Sequence, residues 1–357
     1  MRAPGGLRTL DPQQPLQDGT PFGPTGLQGP GGPHRLPGMP CLDLPLDQLR
    51  SYAGRSPRPA DHDAYWAAAL ADLDRLGLEW RLERAAFQAP GVECHDLYAA
   101  GTRGAVVHAK YLKPTGAARA PVCLLFHGYS NSSGGWFDKL GWVQHGFAVL
   151  AMDCRGQGGL STDPGGVAGT TLKGHIVRGL SDPDAQRLYY RDVFLDTALM
   201  ARIAAAMPGH DPQRMVASGW SQGGALTLVC AALHPAIRRI APVYPFLCDY
   251  RRVWEMDLAK DAYADIREWL RSFDPTHERI DATFGRLGYI DVQFLAPRIR
   301  AQTLMVTGLA DAICPPSTQF AAYNRITAPK ETLIYPDFGH EQLPGAHERI
   351  AEFLRQA

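Results

Sequence analysis

A surplus of one charge is missing from this sequence: 36 Lys and Arg face 36 Asp and Glu. A basic face or stripe, the electrostatic footprint of nucleic-acid binding, has no excess to draw on. Attachment to an anionic membrane surface lacks it equally. Long apolar runs are also absent; none approaches the roughly 20 residues that a spanning helix requires. Arg2 is followed by no apolar core of the kind that marks a secretory signal. Paired cysteines are lacking too. Cys41, Cys94, Cys123, Cys154, Cys230, Cys248 and Cys314 are scattered, odd in number and without a CxxC. That excludes a disulfide framework and a zinc site of the CxxC type, and reads as buried thiols in a reducing compartment. No H-E-x-x-H or clustered His/Cys set offers a metal site, so neither metal nor cofactor is expected. The expectation is a soluble, cytoplasmic globular protein.

What is present divides in two. Residues 1–38 hold nine Gly and eight Pro with almost no aliphatic periodicity. Such a segment buries too little apolar surface to offset its ordering entropy, and a disordered tail is expected there. Met39 opens ordinary sequence and is a candidate translation start. Residues 39–357 have the length of one α/β catalytic domain. Asp61 reads as an N-cap for a helix through Trp66, Leu70 and Leu73 that Gly77 ends. Short strand-like runs follow at 105–107, 122–126, 148–152, 215–217, 240–243, 303–306 and 331–335. Several are apolar without alternation, as suits strands covered on both faces. Helical stretches at 188–207, 225–233, 318–326 and 346–354 separate them. Alternation of this kind implies a mostly parallel, doubly wound sheet with helices on both sides. An aromatic and charged insertion at about 245–300 is placed as a cap over the carboxyl ends of the strands.

The sharpest chemical signal is Gly219-Trp220-Ser221-Gln222-Gly223, a G-x-S-x-G between a strand-like run and a helix. On such a turn the serine presents its Oγ at the top of the sheet, and the glycines permit close approach of helix and strand. A serine nucleophile needs a base, and the base needs an orienting carboxylate. In an α/β-hydrolase fold the chain order is Ser, acid, His. Of the downstream histidines, His340 stands on a loop just after the last strand-like run. His234, His277 and His347 fall at a helix end, in the insertion and in the last helix, where surface or packing roles are expected. Asp311 follows the run 303–307 and a turn, and is preferred as the acid. Asp337 is the rival, but it lies three residues before His340 on the same loop, whereas the acid normally comes from another strand end. Backbone N–H donors for an oxyanion are expected at Gln222 and at Tyr129 in the loop Phe126-His127-Gly128-Tyr129. His127 is read as structural. Arg155 and Gln157, in Arg155-Gly156-Gln157-Gly158-Gly159, are read as organisers of a loop near the site.

With these motifs in place the sequence resembles carbohydrate esterase family 7, the acetyl xylan esterases and cephalosporin-C deacetylases. The resemblance spans residues 39–357. It rests on the motifs around Tyr129, Arg155, Ser221 and His340, on Tyr244-Pro245-Phe246-Leu247, on Cys314-Pro315-Pro316-Ser317-Thr318 and on Phe320-Ala321-Ala322-Tyr323-Asn324. It implies an α/β-hydrolase fold, Ser221, Asp311 and His340 as a triad, and deacetylation of short acetylated xylo-oligosaccharides and of cephalosporin C. It also implies a doughnut-like hexamer with inward-facing sites, to which a loop at about 161–180 contributes. Gly135, Trp220 and Cys154 depart from the residues usual in the family and put substrate preference in question. A narrow pocket of Tyr129, Trp136 and Pro245, selecting acetyl, is the corresponding expectation. Two other readings stay open: a broad short-chain carboxylesterase or peptidase on the same fold, and a hydrolase-fold binding protein without activity.

Overall fold

The protein is described by a computed structural model over residues 42–164 and 173–357. The expected Pro/Gly tail and Cys41 lie outside the described residues, as does the middle of the 161–180 loop. The strands are β1 (Trp80–Arg84), β2 (Val92–Ala100), β3 (Val106–Pro114), β4 (Ala120–Phe126), β5 (Ala148–Met152), β6 (His210–Trp220), β7 (Ile237–Val243), β8 (Gln302–Gly308) and β9 (Lys330–Tyr335). Among the described residues they form one sheet in the order β1-β2-β3-β5-β4-β6-β7-β8-β9. From β5 to β9 neighbouring strands are parallel; β1, β2, β3 and β5 pair antiparallel in succession.

The unalternating strands are covered twice. In β4, Val122, Leu124 and Phe126 join the core on one face, while Cys123 joins the core on the other. In β5, Leu150 and Met152 face one way, Val149 and Ala151 the other. The helices are α1 (Leu46–Leu49), α2 (His62–Leu76), α3 (Leu140–Gln144), α4 (Tyr189–Ala206), α5 (Gln222–Leu233), α6 (Tyr250–Glu255), α7 (Ala264–Phe273), α8 (Ile280–Leu287), α9 (Pro316–Tyr323) and α10 (Ala346–Arg355). Apolar residues of α2, α4 and α5 pack on the first face, those of α3 and α10 on the second. Each face thus removes a continuous apolar surface from water, the dominant favourable term in folding.

Three local expectations change. Asp61 precedes α2, but its side chain makes no cap hydrogen bond; it accepts instead from the Tyr289 hydroxyl at 2.6 Å. β1 and β2 were not expected. β1 is an edge strand of sequence Trp-Arg-Leu-Glu-Arg, mostly exposed. In β2 the buried positions slip phase, from Val92 and Cys94 to Leu97 and Ala99, which spoils a two-residue period. The insertion folds into α6, α7, α8 and single 3₁₀ turns, and buries Phe246, Tyr250, Tyr263, Phe284 and Ile290 in the first core. Among the described residues no helix is long and apolar enough to cross a membrane.

Candidate active site

The site is built where β6 ends. Ser221 has φ 60° and ψ −118°, a strained conformation for a side-chain-bearing residue. The elbow is possible because its neighbours lack side chains. A Cβ on Gly223 would stand 2.0 Å from the Phe126 carbonyl oxygen, and one on Gly219 would stand 2.5 Å from Gly223. The turn is fastened by Ser221 N–H donating to Val243 O at 3.0 Å and Phe246 N–H donating to Ser221 O at 3.1 Å. Gln222 opens α5, so its N–H is among the first-turn donors that no helix carbonyl can reach.

Asp311 and His340 arrive from the loops after β8 and β9 and meet. His340 Nδ1 donates to Asp311 Oδ2 at 2.9 Å. Asp311 is fully buried, while the His340 side chain keeps 22% of its exposure. The other carboxylate oxygen of Asp311 accepts from the N–H groups of Ile313 (2.9 Å) and Cys314 (2.8 Å). The ring of Tyr244 packs 4.3 Å from that of His340, and its hydroxyl donates to Glu341 O at 3.2 Å. The rival acid Asp337 stays on the His340 loop, and His340 Nδ1 is taken by Asp311.

One residue beside this pair was not singled out from sequence. The Cys314 thiol is buried, and burial together with Asp311 pushes its pKa well up, while a hydrogen bond with the Ser221 hydroxyl acts the other way. Donor atoms of Asp311, Cys314 and His340 all lie within 4.8 Å of one another. No sequence spacing announces this grouping, which forms only where the His340 loop meets the turn carrying Asp311 and Cys314.

The loop carrying Tyr129 is held from several sides. His127 Nδ1 donates to Gly128 O at 2.7 Å, and Cys154 N–H donates to His127 Nε2 at 2.9 Å. Burial lowers the His127 pKa, so the neutral imidazole serves as a structural link. Ser130 N–H donates to Gln157 Oε1 at 2.9 Å. Gln157 and Gln222 exchange amide hydrogen bonds in both directions, at 2.9 and 3.1 Å, and Tyr190 adds its hydroxyl to Gln222 Oε1 at 2.7 Å. The Tyr129 hydroxyl donates to Asp265 Oδ2 on α7 at 2.7 Å and accepts from His175 N–H at 3.2 Å. The insertion thereby rests on the loop at the carboxyl end of β4. Burial, then Asp265, keeps the Tyr129 phenol protonated by raising its pKa.

Arg155 is buried and grips Asp196 on α4 with two hydrogen bonds, 2.7 and 2.5 Å, while Thr102 supplies its carbonyl and hydroxyl at 3.2 Å each. It anchors the loop from below. Pro245 is buried against the elbow; a Cβ on Gly224 would stand 3.1 Å from its Cα. Trp136 has other company than Tyr129: it stacks on Phe87 at 6.5 Å and lies under Lys110 Nζ at 5.3 Å, whereas Tyr129 packs on His175 and Phe246. A hollow of about 690 Å³ between Pro59, Trp269, Phe273, Arg279 and Tyr289 contains none of Ser221, Asp311 and His340. Chemistry, not volume, marks the candidate site. A hydroxyl on a strained turn, an oriented imidazole and a row of backbone donors can together perform acyl transfer.

Comparison with known proteins agrees with that chemistry. The crystal structure of acetyl xylan esterase 1 from Thermoanaerobacterium sp. JW/SL YS485 superimposes with a TM-score of 0.85 at 50% identity, covering 88% of this chain and 99% of that one. An acetyl xylan esterase from Paenibacillus sp. R4 gives a TM-score of 0.80 at 34% identity, with 88% and 99% covered. The acetyl esterase Axe7A of Xylanibacter ruminicola is 27% identical over 284 residues, 78% of this chain; the chain spans 62% of that protein's length. The acetyl xylan esterase (AXE1) family model matches residues 39–357, and the chain belongs to that family of carboxylic ester hydrolases.

Proposed function

We propose that the protein is a serine esterase that removes acetyl groups from small acetylated carbohydrates, xylo-oligosaccharides above all, and from cephalosporin C. The observation that carries this reading is the 2.9 Å contact of His340 Nδ1 with Asp311 beside the strained Ser221 turn. His340 Nε2 takes the Ser221 proton as Oγ attacks the acetyl carbonyl. Backbone N–H groups of Tyr129 and Gln222 receive the oxyanion, each worth on the order of 10²-fold or more in rate. His340 returns the proton to the departing sugar hydroxyl, leaving acetyl on Ser221. Water, deprotonated by His340, releases acetate and restores the serine. Asp311 holds the tautomer with Nδ1–H and stabilises the imidazolium. Resemblance extends the reading to a hexamer of this 39.0 kDa chain, which light scattering would weigh. Six free cysteines, all buried among the described residues, suit a reducing compartment.

The test is acetate release from acetylated xylobiose and from cephalosporin C, with wild type beside Ser221→Ala. Wild type should release acetate and the variant should lose at least about 10³-fold in kcat/KM. Activity on butyrate esters equal to that on acetate would move the reading to a broad carboxylesterase. Inactivity on every ester would remove it.

A further inference from the structure

We propose that Asp311, Cys314 and His340 form a latent site for a soft divalent cation of the zinc class, and that its occupation switches the esterase off reversibly. Among the described residues this is the one set of three or more His, Cys, Asp or Glu donors close enough to share an ion, all within 4.8 Å. Its composition is one imidazole nitrogen, one thiol sulfur and one carboxylate oxygen. Zinc binds these donors at about 2.0–2.3 Å, which sets neighbouring ligand atoms about 3.5 Å apart in a tetrahedron. The set closes on an ion with side-chain movements of about 1 Å, and water or the neighbouring Ser221 hydroxyl completes four ligands. Thiolate and imidazole select zinc, cadmium and cobalt over magnesium and calcium, which prefer all-oxygen cages.

The inhibitory effect follows from proton positions. As a general base the imidazole must carry its proton on Nδ1, toward Asp311, and leave Nε2 open. When the cation takes Nδ1 and the Asp311 oxygen, that proton moves to Nε2, and the Cys314 proton leaves to solvent as the sulfur coordinates. Nε2–H can donate to Ser221 but no longer accepts its proton, so acylation stops. Bonds and charge balance: one cation enters, one proton leaves, and no group is oxidised.

The inhibition arm rests on the esterase reading, while binding does not, so the two can fail separately. In chelator-free buffer, zinc or cadmium should lower the rate on a soluble acetyl ester at least about tenfold, with EDTA restoring it and magnesium or calcium without effect. Cys314→Ser, scored against its own metal-free rate, should need at least about tenfold more zinc for half-inhibition. Binding is read directly by titrating cobalt into Ser221→Ala: a thiolate-to-cobalt charge-transfer band should rise, and be lost when Cys314→Ser is added to that variant. Should Cys314→Ser not fold, Cys314→Ala replaces it in both arms. Equal zinc inhibition with and without the thiol, or no thiolate band with cobalt, overturns the proposal even where acetate release is normal. A cobalt band in a protein inactive on every ester upholds the site and removes only the esterase reading.

Discussion

Two histidines among the described residues each bond a buried aspartate, and they differ in one respect that separates chemistry from architecture. His340 bonds a single carboxylate, Asp311, through Nδ1 and keeps part of its surface open. His108 is fully buried and bonds two: Asp153 through Nδ1 at 2.7 Å and Asp96 through Nε2 at 2.8 Å. With carboxylates on both sides both ring nitrogens are engaged, and neither is left to face a substrate. Asp153 is itself over-committed. Burial would raise its pKa, yet hydrogen bonds from His108, Leu160 N–H and Ser133 N–H hold it far below the ordinary carboxylate range. One unit leaves its second nitrogen for the proposed Ser221 chemistry; the other is a brace tying β3 to the loop after β5. A His–Asp pair is a base only when its second nitrogen is left unspent.

The sharpest way to break this contrast is to substitute the two aspartates alike. Asp311→Asn should lower kcat by about 10²–10⁴-fold, because the amide holds the wrong tautomer, with little change in thermal midpoint. Asp153→Asn should do the reverse, costing about 1–3 kcal/mol of stability for unsatisfied buried partners while kcat changes little. Calorimetry and initial rates on both variants decide it; equal catalytic losses would merge the two pairs. The Asp153 contribution also has a pH signature. A carboxyl depressed in the folded state stabilises above its unfolded value, and that stability is lost as pH falls through the folded value. The gap in thermal midpoint between wild type and Asp153→Asn should therefore shrink below about pH 4. Tyr129→Phe, which removes the hydroxyl shared by Asp265 and His175 N–H, should lower kcat by about fivefold, roughly 1 kcal/mol, with KM little altered. Last is His62, whose pKa burial lowers to about 4, helped by Arg58. A depressed histidine favours folding above its unfolded value and loses this as pH falls. Between about pH 6.5 and pH 4 the thermal midpoint should drop less in His62→Phe than in wild type.

Legibility in the sequence followed physical locality. β4, β5 and the Ser221 turn could be read because two-sided burial imposes unbroken apolar runs and because the elbow compresses its demands into five residues. Asp311 and His340 stood out since each follows a strand-like run on a short loop, and the fold places such loops at one edge. β1 escaped because an edge strand exposed to water needs no apolar pattern, and β2 because its buried positions change phase within the strand. The meeting of Cys314 with His340, and of Tyr129 with Asp265, is a product of chain reversal: nothing local at either member announces the other. The partners of Trp136 are equally remote in sequence: Phe87 from the turn after β1 and Lys110 from β3.

The reciprocal amide pair of Gln157 and Gln222 has a consequence for the media in which such a protein works. Exposed ion pairs such as Arg349 with Glu352 weaken in brine, because mobile ions shorten the reach of charge to about 3 Å at 1 M salt. Two neutral amides present no net charge to be screened. This link between the two backbone donors of the proposed anion pocket is thus set by shape and hydrogen bonding, and the charged pair that also braces the loop, Arg155 with Asp196, is buried and screened far less than a surface pair. Turnover of an uncharged ester should accordingly be tolerant of salinity, a property read from two glutamines rather than from the surface.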